Sequence, residues 1–374
     1  MKSTASPLKL RVAVLFGGRS GEHDVSLMSA RSVIAALDPA KYEIFPVGIT
    51  HAGHWLTGEN ILDALEQNKT ESLDPVVIFP DPQRAGLYAI RNTQYELLSN
   101  IDVIFPVLHG TFGEDGTMQG LFELADVAYV GAGVVGSAVG MDKGIFKDVM
   151  RANNIPVVDW VILRRAEIQN EMHAAIRKAE SIGAYPLFAK PANLGSSVGI
   201  TKCNNRADLG EGLMEAAAFD RRILVERGVT NAREIEVSVL GNDAPIASVA
   251  GEVLPSREFY SYESKYVDGT SGLVIPAEIP AEISERIREL AVRAYKAIDC
   301  AGMARADFFL EKETGRVLLN ELNTLPGFTS ISMYPKLWQA TNLSYPQLVD
   351  RLIELALERK AERDATTREF RSAQ

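Results

Sequence analysis

The stretch "KPANLGSSVGI", Lys190 to Ile200, sets a lysine ahead of a glycine, two serines and a second glycine. A Walker phosphate loop runs the other way, with glycines first and a Gly-Lys-Ser/Thr triplet closing the turn. The residues "YPLFA" before Lys190 are apolar enough to read as a strand, "YPLFAKP", flanked by a further strand in "RILVERGV" (222–229). A strand lysine supplies a point charge, and the backbone amides of "GSSVG" can close over phosphate oxygens as a flap, with Gly195 and Gly199 letting it move. A plain glycine-rich turn is the alternative at this point.

Phosphates held this way call for a countercharge, and "ARADFFLEKETGRVLLNELN" (304–323) could bring one as a bound metal cation. It reads as two strands around a turn at Glu313 to Gly315. Arg305 and Asp307 alternate onto one face of the first strand, and Glu321 and Asn323 onto one face of the second. If the strands pair, the four polar groups meet. Two carboxylates and an amide oxygen suit hard, oxygen-seeking Mg2+ rather than zinc. A solvated hairpin face is the competing reading, although Ala306, Phe308 and Leu322 alternate with the polar set and "NTLPGFT" extends it with a backbone-rich turn.

Around these two segments the chain divides. "RVAVLF" (11–16), "YEIFPVGI" (42–49), "VVIF" (76–79) and "DVIFPVL" (102–108) read as strands, and "VSLMSARSVIAAL" as a helix with Ser26, Ser29 and Ser32 on its polar side. The first 140 residues therefore predict an open, mostly parallel α/β sheet. After the helix "MDKGIFKDVMRANNIP" the chain turns to shorter strands and hairpins, with a helix at about 206–219 and period-2 alternation in "REIEVSVLG". Ile283, Ile287, Leu290, Ala291, Ala294, Tyr295 and Ile298 form one apolar helical stripe, and "SYPQLVDRLIELALERKAERD" is an amphipathic tail helix. Boundaries near Met141 and Gly228 give three units: residues 1–141 as an α/β domain, which the resemblance given below makes the substrate-binding one, 142–228 with the Gly-Ser flap, and 229–374 with the acidic hairpin and a long irregular segment, "PSREFYSYESKYVDGTSG", which it makes a lid.

Composition limits the alternatives. Of 374 residues, 39 are basic and 49 acidic, a net charge of -10 that argues against nucleic acid or an anionic membrane surface as a main partner. The two cysteines, Cys203 and Cys300, lie too far apart for metal-ligand spacing and read as buried thiols. The N-terminal apolar run is too short for a signal peptide and the longest uncharged stretch, 127–141, too short and glycine-rich for a membrane span, so the chain is expected in the cytoplasm. "GAGVVG" (131–136), with Asp159 beyond it, fits a dinucleotide fingerprint, but that fingerprint belongs at the first strand-helix turn, where "GGRSGEH" fails the spacing. Its glycines instead suit close backbone packing.

The strand lysine, Gly-rich flap, acidic "VERGV" and "D...ELN" hairpin together resemble the ATP-grasp superfamily, and within it the chain is similar throughout its length to the D-alanine-D-alanine ligases. Seven blocks carry the resemblance in order: "LFGGRSGEHDVSL" (15–27), "HGTFGEDGTMQG" (109–120), "MDKGIFK" (141–147), "KPANLGSSVG" (190–199), "EFYSYESKY" (258–266), "GMARADFF" (302–309) and "NELNTLPGFTSISMYP" (320–335). What it implies is an N-terminal open α/β sheet followed by a two-part ATP-grasp fold, α+β in character, that phosphorylates one D-alanine carboxylate with ATP and lets a second D-alanine amine displace phosphate. By resemblance Lys143 and Lys190 bind phosphates, and Ser196, Ser197 and Lys265 join the nucleotide contacts. Glu226 and Glu234 match the adenine-hinge and ribose positions, in a segment one residue longer than the family pattern. Asp307, Glu321 and Asn323 match ligands of two Mg2+ (or Mn2+) ions.

The same resemblance places Glu22 on the first substrate's ammonium, with Ser196 and Tyr266 linked to that glutamate and Lys265 beside them in the lid. Arg305 and the Gly327 N–H match donors to the tetrahedral intermediate, His109 lies near the reacting amine, and Ser332 and Met333 take the second substrate's carboxylate. Tyrosine at 266 favours a dipeptide over a D-lactate product. A homodimer through the N-terminal domain is implied too. The alternatives are another ATP-grasp carboxylate-amine ligase or a D-alanine-D-lactate ligase.

Overall fold

The computed structural model describes residues 9–195, 198–254 and 272–367. The first sheet holds β1 (Leu10–Gly17), β2 (Tyr42–Ile49), β3 (Trp55–Thr57), β4 (Asp74–Val77), β5 (Leu87–Arg91), β6 (Gln94–Ser99), β7 (Val103–Val107) and β8 (Ala128–Tyr129), in the order β6-β5-β4-β3-β2-β1-β7-β8. β1 is parallel to β2 and β7, and β7 to β8. From β2 outward to β6 every pairing is antiparallel. The expected open α/β sheet is present, but its parallel character is confined to four strands. The links from β2 to β3 and from β5 to β6 are too short for the crossover a parallel pair needs, so the chain turns back on itself. The strand expected at 76–79 begins earlier, at Asp74.

β9 (Trp160–Arg164), β10 (Leu187–Pro191), β11 (Thr201–Cys203) and β12 (Arg222–Arg227) form a second, antiparallel sheet in the order β11-β10-β12-β9. The helices Met172–Glu180 and Arg206–Phe219 bury its back, with Leu209, Leu213 and Ala216 against Leu187, Ala189 and Val225. β13 (Ala232–Gly241), β14 (Ile246–Leu254), β15 (Gly272–Val274), β16 (Gly302–Glu311) and β17 (Val317–Asn323) form the third sheet, ordered β15-β14-β13-β16-β17. The helix Ala281–Ala297 lays its stripe of Ile287, Leu290, Ala291 and Ala294 on Ile235, Val237 and Val239 of β13. Period-2 alternation therefore sends Glu234, Glu236 and Ser238 to the opposite face.

The first and last parts of the chain share a core. The helix Tyr345–Asp364 returns to the first sheet, packing Leu348, Leu352 and Ile353 with Val12, Val14 and Phe105. Its C-terminal half is fastened by Arg359, which donates to Tyr129 O at 3.0 Å and to Gly131 O with its guanidinium 4.2 Å from the Tyr129 ring centroid. The "GAGVVG" glycines lie at this junction. A Cβ at Gly136 would meet Cys300 Cα at 3.1 Å, and one at Gly302, whose φ is +72°, would meet Gly131 N at 3.0 Å. Cys203 and Cys300 are buried free thiols, and burial pushes Cys203 up to about 11. No helix among the described residues is long and apolar enough to cross a membrane.

Gly302→Ala should destabilise the fold by about 1–3 kcal/mol, because it adds a Cβ against backbone in a left-handed conformation. Equilibrium urea denaturation checks this; an unchanged midpoint would mean that the backbones at Gly131 and Gly302 can separate without loss.

Candidate functional site

One cleft opens between the second and third sheets and reaches the carboxyl end of β1. Of the positions singled out in the sequence, it is lined by Glu22, His109, Lys143, Lys190, Glu226, Glu234, Arg305, Asp307, Glu321, Asn323 and Gly327. Its acidic wall comes from strand register. β16 and β17 pair antiparallel with Arg305 opposite Asn323 and Asp307 opposite Glu321. β13 sets Glu236 opposite Asp307 on the other side, so Glu236, Asp307 and Glu321 form a row across three strands. A register shift after Asp307, at the Asn320 side of β17, ends the regular pairing beside this row.

Arg305 compensates the row. Its Nε and Nη2 donate to the two Asp307 oxygens, each at 2.7 Å, and its Nε lies 3.0 Å from Glu236 Oε2. Asn323 Nδ2 donates to Asp307 Oδ2 at 3.0 Å. Glu321, a quarter exposed on its side chain at 26%, faces Lys143 Nζ across 3.9 Å. Two facing carboxylates with an adjacent amide are the donor set that hard divalent cations take, and antiparallel register holds the three close enough to share one. The residues present fit Mg2+.

The opposite wall carries cations. Asp142 caps the helix Lys143–Ala152 by accepting from Gly144 N at 3.1 Å and Ile145 N at 3.0 Å, which aims the helix start into the cleft. Lys143 Nζ donates to Leu194 O at 2.7 Å, at the foot of the Gly-Ser segment. One helical turn on, Lys147 projects from the same face. Its Nζ is 2.7 Å from Glu226 Oε1, while Lys190 from β10 pairs with Glu226 Oε2. Glu226 is 3% exposed. Burial alone would raise its carboxyl, but Lys147 and Lys190 outweigh burial and hold it down at about 2.

Glu22 and His109 close the end of the cleft against β1. Glu22 is the N-cap of the helix His23–Ala36, and backbone crowds its carboxylate: a Cβ at Gly110 would meet Oε2 at 2.7 Å and one at Gly195 would meet Oε1 at 3.4 Å. The Gly-rich segment thus begins beside Glu22. His109 is bonded through Nδ1 to Leu325 O at 3.0 Å and through Nε2 to Ser29 Oγ at 3.2 Å, with Glu114 Oε1 3.7 Å away. Burial favours the neutral ring, but Glu114 and then Glu22 outweigh it, and the imidazole is shifted upward.

One expectation falls differently. Ser26 and Ser29 are fully buried rather than on a solvated side: Ser26 Oγ accepts from Gly17 N at 2.7 Å and donates to Val107 O, tying two strand ends together, and Ser29 holds His109. Ser332 and Met333 do not line the cleft with the others. They start the helix Met333–Ala340, where Ser332 Oγ accepts from Thr329 N at 3.1 Å and the Met333 side chain is buried with Val253 and Leu337. Ser196, Ser197, Lys265 and Tyr266 lie outside the described residues.

Lys147, Glu114 and Glu236 were not singled out in the sequence. A turn's spacing from Lys143 and the alternation of "REIEVSVLG" were the available signals for Lys147 and Glu236. Nothing local distinguishes Glu114, whose neighbour is set by the turn after β7.

Comparison with known proteins bears on the chain as a whole. The family model described as D-ala D-ala ligase N-terminus matches residues 11–132, and that described as D-ala D-ala ligase C-terminus matches 149–354. A protein named D-alanine--D-alanine ligase from Thermoanaerobacter sp. (strain X514) is 51% identical over 352 residues, 94% of this chain and 97% of its own length. One of the same name from Heliobacterium modesticaldum is 48% identical, covering 96% and 99%. Among solved structures, the VanG D-Ala:D-Ser ligase from Enterococcus faecalis superposes with a TM-score of 0.83 at 37% identity over 93% of this chain and all of that one. The D-alanine-D-alanine ligase from Coxiella burnetii gives 0.81 at 37% identity, covering 96% and 97%.

The raised His109 value sets a pH dependence. A group whose folded value exceeds its unfolded value of about 6.5 contributes stability fully below that value, and loses it as pH rises through the folded value. Glu114→Gln should therefore cost more stability at about pH 6 than at about pH 8. Urea titrations of both proteins at the two pH values check it, and equal losses would mean that His109 is neutral throughout.

Proposed function

We propose the following activity for this chain, which belongs to the D-alanine-D-alanine ligase family: it joins two D-alanine molecules at the expense of ATP, giving D-alanyl-D-alanine, ADP and phosphate for the peptidoglycan precursor. The observation that carries the reading is the opposition of Lys143 and Lys190 to Asp307 and Glu321 across one cleft that also receives Glu22.

A carboxylate resists amine attack because its leaving group would be oxide. Transfer of the γ-phosphoryl group to one carboxylate oxygen of the first D-alanine releases ADP and leaves an acyl phosphate. The amine of the second D-alanine then attacks the carbonyl, inorganic phosphate departs with the electron pair of the C–O bond, and the amide forms after loss of the amine proton. Lys143 and Lys190 hold the phosphates, and Glu226 and Glu234 the nucleoside. Asp307, Glu321 and Asn323 would hold two Mg2+ or Mn2+ ions, which neutralise triphosphate charge when bound.

Glu22 takes the first substrate's ammonium; its place at the carboxyl end of β1 follows the rule for ligands of open α/β sheets. Arg305 and the Gly327 N–H stabilise the oxyanion of the tetrahedral intermediate, where one donor is worth about 2.7–4 kcal/mol. Glu236 keeps Arg305 in place when a cation engages Asp307. His109 borders the reacting amine; Ser332 and the Met333 N–H, which stand outside the cleft lining, are the pair assigned to the second carboxylate by family resemblance. Ser196, Ser197, Lys265 and Tyr266 complete the nucleotide and substrate contacts and exclude water that would hydrolyse the acyl phosphate. The three units 1–141, 142–228 and 229–374, a homodimer through the first of them and a cytoplasmic site of action are part of the same proposal.

One observation favours keeping a second acceptor in view: the solved relative from Enterococcus faecalis is named a D-Ala:D-Ser ligase and superposes over nearly the whole chain. Product analysis with D-alanine alone, with D-serine and with D-lactate separates the readings. Phosphate release from Mg-ATP should require D-alanine and fail with L-alanine; release indifferent to chirality would end the assignment. Arg305→Ala should leave ATP binding within a few-fold while turnover falls about a hundredfold or more, because its contact is made in the transition state. Glu22→Gln should chiefly raise the KM for the first D-alanine, and an unchanged KM would remove Glu22 from that role.

A further inference from the structure

Lys147 is buried behind the cleft wall, at 1% exposure, and nothing in the ligation chemistry above uses it. A buried ammonium is costly, and burial pushes this one below the usual lysine range despite Glu226. Its Nζ lies 2.7 Å from Glu226 Oε1, and the hold combines Coulombic attraction with a side-chain hydrogen bond. Glu226 is thus gripped on both oxygens, by Lys147 from within the protein and by Lys190 from the cleft side, where the lysine side chain is 12% exposed. The two cations are not equivalent. Lys190 sits on β10 at the base of the Gly-Ser segment and is the one assigned to phosphate, whereas Lys147 lies beneath the surface.

Once Lys190 turns N–H donors toward phosphate oxygens, its hold on Glu226 Oε2 is shared or given up. We infer that Lys147 is a positioning residue for nucleotide selection: it anchors Glu226 Oε1, so that when Lys190 turns to the phosphates the carboxylate stays aimed and Oε2 is left as an acceptor for an amino group on the base. Adenine presents an exocyclic amine that can donate to such an oxygen. Guanine presents a carbonyl at the same ring position, and two acceptors facing each other repel. Discrimination between the purines then follows from a buried lysine that touches neither nucleotide nor amino acid. This inference rests on the nucleotide-binding reading of the cleft.

The experiment compares wild type, Lys147→Met, Glu226→Gln and the double variant in D-alanine-dependent phosphate release with ATP and with GTP. Methionine keeps most of the lysine's length without its charge, and the double variant removes both charges of the pair, so it remains measurable if Lys147→Met alone folds poorly. Lys147→Met should raise the KM for ATP about tenfold or more, shrink the ATP-over-GTP preference, and leave the KM for D-alanine and kcat within a few-fold. In the Glu226→Gln background the same substitution should add little, because its partner is already lost. An unchanged KM and preference in Lys147→Met, or an equal additional loss in both backgrounds, overturns the proposal. Absence of D-alanine-dependent phosphate release in wild type would instead fail the functional reading on which it rests.

Discussion

Like charges set side by side in a half-buried wall must be compensated, and this constraint organises the cleft. Glu236, Asp307 and Glu321 stand in one row because the antiparallel register of β13, β16 and β17 sets Glu236 opposite Asp307 and Asp307 opposite Glu321. Arg305 supplies one countercharge from within the same sheet. The rest comes from across the gap, where Lys143 faces Glu321. Glu226 repeats the pattern on the far wall, an anion between two lysines. Neither wall is electrostatically complete alone, so the two sheets are held face to face by groups that also suit a polyanionic ligand with its cations.

That arrangement explains where the chain invests its close contacts. The start of the helix Lys143–Ala152 is tied to the second sheet by Lys143 N to Ala192 O at 2.9 Å, by Lys143 Nζ to Leu194 O, and by Asp142 with Arg222. Those contacts fix the direction of two lysines at once. At the other end, Gly131 and Gly302 allow backbone contact between the first and third sheets, and Arg359 clamps the last helix onto Tyr129 and Gly131. The carboxyl end of β1, with Glu22, is thereby set against the end of the hairpin that carries Gly327. Phe328 N donating to Ser29 Oγ at 3.4 Å and His109 bonded to Leu325 O are the local stitches.

Much of this was readable from the chain. The hairpin followed from period-2 alternation with a Gly-containing turn, and it delivered Arg305, Asp307, Glu321 and Asn323 to one face because strand geometry allows nothing else. The lysine-first order of the Gly-Ser segment separated it from a Walker loop, and the apolar stripe gave the helix Ala281–Ala297 to within a residue of its end. What escaped was tertiary. Ser26 and Ser29 look like the wet side of an amphipathic helix until strand ends and His109 are brought against them. Glu236 reads as a solvated position until β16 pairs beside it, and the antiparallel half of the first sheet depends on short links whose direction composition does not encode.

Lys147 shows why such residues escape most completely. Within "MDKGIFKDVMRA" it has the spacing of a surface lysine, and intrinsic preference would keep it in water. Only the meeting of its helix with β12 places a carboxylate within reach of its ammonium, and only the shared use of that carboxylate by Lys190 gives the burial a purpose. Replacing a buried ion pair by apolar groups of similar volume often costs no stability, so stability alone is a weak reason to bury one here. Aiming one oxygen atom while a neighbouring cation moves is a requirement that an apolar pair cannot meet. A charge buried where packing alone would exclude it is therefore better read as a demand of the site than as a support of the fold.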